Sequence, residues 1–335
     1  MDYDPVAGPG VWYGRELARR GDWIRPFAPR ELDEIDAAVF AFMQSGLPPE
    51  RLEAERFPLP TLGPVLREVL GELLEGRGFV LLRGLPVERM TREEQAIAYL
   101  GLGAWLGRFR SQNAKGHLLG HVKDLGLDIR NPNVRYYQTN RKLEYHTDSV
   151  DLVGLLCLKS AKSGGESYLA SSMTVYNEVL NRKPDLLPPL FEPYATDRRG
   201  EVPEGMKPWF DIPIFHRHAG KLSCIYVRQY IESAQKHFAE ARRLTPGSAR
   251  RWTSSTRSAT TPRSISRWTS APAISSSCTT TRSCIRAATS RTGPSPSAIA
   301  TCCACGSRRA RRGRYPRCSR RATAACSRAS AAASW

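Results

Sequence analysis

Apolar residues recur at helical spacing across 31–43, where Leu32, Ile35, Val39, Phe40 and Met43 form one stripe. The pattern predicts a helix there and a second over 64–75, stopped by Gly76. The run 78–85, Gly-Phe-Val-Leu-Leu-Arg-Gly-Leu, reads as a short buried strand closed by Pro86. Thr91 and Glu94 form a capping box that opens a third helix, to about 106. Residues 107–133, rich in Gly, Asn and Lys, read as a loop that could act as a lid.

Strand-like runs then dominate, at 134–138, 150–158, 166–170, 208–215 and 222–227, the last two flanking a hairpin turn at His218-Ala219-Gly220-Lys221. Helical stretches are expected at 173–181 and 230–243. Many short strands with few helices predict an α+β chain built on a barrel or jelly roll with helices packed outside.

The pattern breaks near Thr245. After Leu244 there is no Leu, Val, Phe, Met, Asn or Gln, and Arg, Ser, Thr, Ala, Pro and Cys make up most of the stretch. Such a segment has little apolar area to offset the entropy of ordering it. Residues 1–244 are therefore expected to form the folded domain, an incomplete jelly roll. Residues 245–335 are expected to be a disordered tail, leaving C-terminal strands missing.

Charge divides at the same point. Of 50 Lys and Arg, 17 are arginines after residue 244, leaving 33 against all 32 acidic residues before it. Of the net charge of +18, all but +1 belongs to the tail, so the first 244 residues give no sign of a specific nucleic-acid surface. Seven of nine cysteines lie between Cys278 and Cys326, while Cys157 and Cys224 read as buried thiols of a reducing compartment. No basic-then-apolar leader opens the chain and no apolar run reaches about 18 residues. The expectation is a cytoplasmic protein without a membrane partner.

The tail also reads as a coding region translated out of frame. Trp268-Thr269 must be TGG-ACN, so the frame one base back contains GAC, aspartate. In that frame the codons of 269–274 permit Phe-Arg-Pro-Gly-Asp. Those of 278–285 permit His-Asn-His-Ala-Ile-Leu-His, and those of 298–307 permit His-Arg-His-Leu-Leu-Arg-Leu-Trp-Leu. The displacement would lie between about Thr245 and Arg251.

The chemistry centres on Glu144-Tyr145-His146-Thr147-Asp148-Ser149, the one His-x-Asp in the chain. Alternate residues of a strand share a face, so His146 and Asp148 would offer imidazole and carboxylate side by side. With a second histidine they would make the facial triad of non-haem Fe(II), leaving positions for a bidentate 2-oxo acid and O₂. No histidine follows His237.

With Gly78-Phe79, Arg83-Gly84, the segment from Tyr137 to Asp148 and Gly164-Gly165-Glu166-Ser167, the chain resembles the taurine dioxygenase-like family of Fe(II)- and 2-oxoglutarate-dependent oxygenases over about 78–243. The resemblance implies a double-stranded β-helix. It assigns iron to His146 and Asp148, 2-oxoglutarate as co-substrate to Ser167, and hydroxylation of a small organic substrate with O₂. The family's distal histidine and its 2-oxoglutarate-binding arginine lie in C-terminal strands. Neither motif is present in the chain, so its activity is expected to be impaired, and the neighbouring frame would supply both.

Other candidates are weaker. His216 and His218 read as exposed hairpin residues, and His117 and His121 as loop residues, His117 with possible access to substrate. Cys302-Cys303-Ala304-Cys305 matches no common zinc spacing. The basic cluster 308–314 would bind polyanions non-specifically. Trp105, Trp209 and Phe210 read as core or pocket wall, and Arg135 and Arg141 either as pocket-mouth residues or as solvated cations. The competing reading is a basic nucleic-acid-binding protein with a disordered Arg-rich tail, which deletion of 245–335 would expose.

Overall fold

The computed structural model describes residues 3–113, 115–128, 134, 136–140, 143–160 and 167–244, and the backbone of 266–268, 276–279, 283–287 and 298–304. The chain runs α1 (Gly14–Leu17), β1 (Ile24–Pro26), α2 (Pro29–Gln44), α3 (Leu62–Leu74), β2 (Phe79–Arg83), α4 (Arg92–Leu106), β3 (Arg108–Arg110) and β4 (Gly120–Val122). It continues with β5 (Leu152–Cys157), β6 (Ser167–Ser171), α5 (Ser172–Arg182), α6 (Leu187–Leu190), β7 (Pro193–Asp197), β8 (Trp209–Pro213), β9 (Phe215–His218), β10 (Lys221–Cys224) and α7 (Arg228–His237). Four strands follow: β11 (Ser266–Trp268), β12 (Ser276–Thr279), β13 (Ser283–Ala287) and β14 (Ala298–Ala304). Contacts group Met1–Cys305 as one compact unit, and the second unit, Gly306–Trp335, lies outside the described residues.

Local chemistry explains the helices. In α4 the Thr91 hydroxyl accepts from Glu94 N at 3.3 Å, and the Glu94 carboxylate accepts from Thr91 N at 2.7 Å, closing the expected capping box. In α2, Glu31 turns back to accept from Ala28 N at 2.9 Å and pairs with Arg25. The buried stripe of α2 is Ile35, Ala38, Val39 and Phe42. Phe40, placed on that stripe by the sequence reading, points out and is 66% exposed, because a residue next to Val39 turns about 100° away from it. Gly101 lets α4 approach the Phe57 ring: a Cβ there would sit 2.4 Å from it.

A seven-stranded sheet has the order β1-β2-β12-β5-β14-β3, with β4 also on β14. A three-stranded sheet has the order β11-β6-β13, and β7-β8 and β9-β10 form two further pairs. Among the described residues the pairings are antiparallel except that of β1 with β2. Strands from distant parts of the chain interleave in the two larger sheets, giving the double-stranded β-helix with flanking helices. One core cluster joins α2, α3 and α4 to Leu152 and Leu156 of β5. A second surrounds Tyr176, Phe215, Leu222 and Tyr226.

Several expectations change. The run 134–138 is not a strand where described: Tyr136–Gln138 is a 3-10 turn, whose Tyr137 and Gln138 carbonyls accept from Lys123 N and Leu125 N. The expected loop 107–133 contains β3 and β4. The hairpin stands, with Ala219 and Gly220 at φ 49 and 76, but its arms are shorter, and β8 pairs with β7 instead. Of 245–335 only four backbone segments are described, each paired into a sheet, and the expectation of a disordered tail falls otherwise on residues outside the described ones.

Candidate active site

The segment carrying the His-x-Asp pair is strung between two apolar anchors. Tyr145 is buried in the cluster around Tyr176 and Tyr226, and Val150 packs on the cluster of Trp12, Phe79, Val153 and Leu169. Between them Thr147 is 1% exposed. Its N–H donates to Tyr226 O at 2.8 Å, and its hydroxyl accepts from Tyr226 N at 2.7 Å. Thr147 is thus held to the chain just after β10 from both sides, by main chain and side chain. The strand expected through this segment is not formed, Thr147 and Asp148 being irregular; His146 and Asp148 flank the buried Thr147 and are both half-buried.

His146 is oriented by a backbone carbonyl. Its Nδ1 lies 2.8 Å from Glu144 O. A carbonyl only accepts, so Nδ1 is the donor in this contact, which leaves Nε2 outside it. This is how a metal-binding histidine is oriented by an outer hydrogen bond. Asp148 supplies a carboxylate two residues on. These two donors suit Fe(II). The set stops there: among the described residues no group of three His, Cys, Asp or Glu could hold a metal, and no histidine follows His237. Donors of two of the three kinds a facial triad uses are therefore present in this segment, and no third completes them among the described residues.

Ser167 opens β6, half-buried, with its backbone paired to Trp268 of β11 and Ala287 of β13. Gly164, Gly165 and Glu166, read with it as one motif, lie outside the described residues, as do Arg135, Arg141, Cys305 and the cluster 308–314. Beyond Tyr226, Arg228 pairs with Glu232 at 2.8 Å. Burial opposes the charge of Arg228, but the Glu232 carboxylate outweighs this and lifts its pKa. The sequence reading missed both Thr147 and Tyr226 as supports, because their pairing joins segments 79 residues apart.

The remaining candidates fall outside this cluster. His216 and His218 are exposed on β9 with rings stacked 6.3 Å apart. His117 is exposed with Nδ1 3.1 Å from Asn113 Nδ2, and His121 is exposed in β4. Trp105 donates to Phe57 O at 2.9 Å, and Trp209 is buried and stacked on Phe238. Phe210 lies under the Arg198 guanidinium.

Comparison with known proteins identifies the family of the chain. The profile described as "Taurine catabolism dioxygenase TauD, TfdA family" matches residues 44–251. The chain is 33% identical over 231 residues to FR-33289 synthase of Streptomyces rubellomurinus, covering 68% of each. It is 35% identical over 223 residues to the taurine hydroxylase-like protein SAT17 of Stachybotrys chartarum, covering 64% of this chain and 57% of that one. Its fold is shared with an asparagine oxygenase solved with Fe(II), 2S,3S-3-hydroxyasparagine and succinate (TM-score 0.65, 14% identity, 84% of this chain and 93% of that one). The chain belongs to the TauD/TfdA family of Fe(II)- and 2-oxoglutarate-dependent dioxygenases.

Proposed function

We propose that His146 and Asp148 are the iron-binding residues of this dioxygenase and that Ser167 contributes to the 2-oxoglutarate site. The observation that carries this is the His146 Nδ1 contact to Glu144 O, which orients the ring and leaves Nε2 outside that bond. When bound, iron and 2-oxoglutarate supply the oxidising chemistry, with O₂ consumed and succinate released. The chain's own part is to hold the imidazole and the carboxylate beside the Thr147–Tyr226 clamp. A small organic substrate fits the relatives, one of which was solved with a hydroxylated amino acid.

We further propose that the chain as written binds iron weakly and turns over poorly, because two protein donors anchor it where three are needed. No helix among the described residues is long and apolar enough to cross a membrane, and a cytoplasmic location accords with that. Anaerobic equilibrium dialysis of the full chain with Fe(II) tests the assignment. Weak binding that disappears in both His146→Ala and Asp148→Ala is expected. Binding unchanged in either variant would remove that residue from the site, and full affinity with substrate-dependent succinate release would refute the impairment.

A further inference from the structure

Four independent features converge on the stretch after Leu244. First, β12 lies between β2 and β5, and β14 between β5 and the strands β3 and β4. The flanking strands are mostly buried: four of five residues in β2 and four of six in β5. Interior strands at such positions call for Val, Ile and Leu. The chain supplies Ser-Ser-Cys-Thr in β12 and Ala-Ile-Ala-Thr-Cys-Cys-Ala in β14.

Second, the match to the family profile ends at residue 251, although paired strands continue to Ala304.

Third, after Leu244 only Ile265, Ile274, Ile285, Ile299 and Tyr315 have codons with A or T at the middle base. A frame under protein-level selection concentrates such a bias at its third base, where most changes are silent. The middle base here is therefore the third base of the selected frame, whose codons begin one base earlier. Starting one base later would put the bias on a first base, where changes alter the residue.

Fourth, that earlier frame is apolar where the sheet needs it. Every cysteine codon begins TG, so the codon straddling its start is NTG, which encodes Leu, Val or Met whatever N is. This places an apolar residue across Ser277–Cys278 in β12, Ser283–Cys284 in β13 and Thr301–Cys302 in β14. Across Cys302–Cys303 leucine is forced, since both TTG and CTG encode it. The cysteine richness of the tail is the shadow of an apolar strand pattern.

We propose that the chain beyond about Thr245–Arg251 is read one base out of register, and that the same bases read one base earlier encode the strands completing the sheet. Cys284–Ile285 straddles a codon that is His or Tyr in that frame, directly after a forced apolar residue and beside β6, which carries Ser167. Resting on the iron reading above, we assign the absent metal-binding histidine to that codon.

The test has two arms. Independent sequencing of the gene across the codons of Leu244 to Trp252 is expected to show one additional base. Peptide mapping of the protein from its own cells is expected to lack the tryptic peptide spanning residues 268–282. Unaltered bases with peptides from the neighbouring frame would also support the proposal, the shift then occurring on the ribosome. Unaltered bases together with the 268–282 peptide would overturn it.

In the second arm, the full chain and the chain with its frame restored are titrated with Mn(II), followed by electron paramagnetic resonance. Binding at least tenfold tighter in the restored chain is expected, lost when the Cys284–Ile285 codon is changed to alanine. A restored frame without that gain would overturn the histidine assignment and leave the frame proposal standing.

Discussion

Replacing Thr147 with valine removes one oxygen and keeps the side-chain volume. Its consequence follows from the clamp on Tyr226. The Thr147 hydroxyl accepts from Tyr226 N at 2.7 Å at a position only 1% exposed. Valine leaves that N–H buried without its acceptor, at a cost of about 1–3 kcal/mol. The reciprocal bond from Thr147 N to Tyr226 O uses main-chain atoms and survives. Two assays read the change. Urea unfolding of the full chain followed by tryptophan fluorescence should show a lower midpoint at unchanged slope. Amide exchange at Tyr226 should speed up roughly fivefold to 150-fold, the same energy expressed as local opening. Thr147→Ser keeps the hydroxyl and should stay close to the parent in Tyr226 exchange. If the valine variant matched the parent in both midpoint and exchange, Thr147 would not hold the His146–Asp148 segment in place, and the derivation of the site geometry would fail with it.

Gly101→Ala would drive a methyl group against Phe57, and the overpacking should cost about 1–3 kcal/mol, less the roughly 1 kcal/mol of helix propensity regained, read as a fall in Tm. Glu31 is raised by burial, but the Arg25 guanidinium and Ala28 N–H outweigh this and hold its carboxyl below the usual carboxylate range. Its pairing therefore stabilises the fold above the unfolded pKa, and that contribution is lost as pH falls through the depressed value. Glu31→Gln should accordingly be less stable than the parent near pH 7 and converge with it in acid, as urea midpoints at several pH values will show. Burial raises the Cys157 thiol. Its alkylation at pH 7, mapped by mass spectrometry on the native chain, should be much slower than after unfolding; equal rates would contradict that burial.

What the amino-acid sequence disclosed depended on range. The capping box of α4 was readable because Thr91 and Glu94 are three residues apart and satisfy each other's backbone. The hairpin at Ala219-Gly220 was readable because Gly220 favours positive φ between two strand-like runs, although Ala219 takes φ 49 against the preference of a residue with a Cβ. β7 escaped notice: Pro193-Tyr-Ala-Thr-Asp has four buried residues in five, so no polar alternation marks it. Tyr136 and Tyr137 suggested a strand by propensity, yet their segment closes a local turn against residues 123 and 125. His146 and Asp148 stood out as a pair, but the contacts that orient them come from Tyr226 and a backbone carbonyl, neither of which carries a local signal.

The pairing of Phe79 with Cys278 bears on how this protein is made. About 200 residues separate the two partners, and β5 waits on the same late-arriving strand from its other side. At about 5–20 residues per second, a ribosome leaves the flank of β2 open for roughly 10–40 s before its neighbour emerges. During that interval a nascent chain displays the bare edge of an apolar ribbon. Chaperone capture should therefore concentrate on chains stalled short of residue 276, and folding yield should depend on translation speed through the final third of the message.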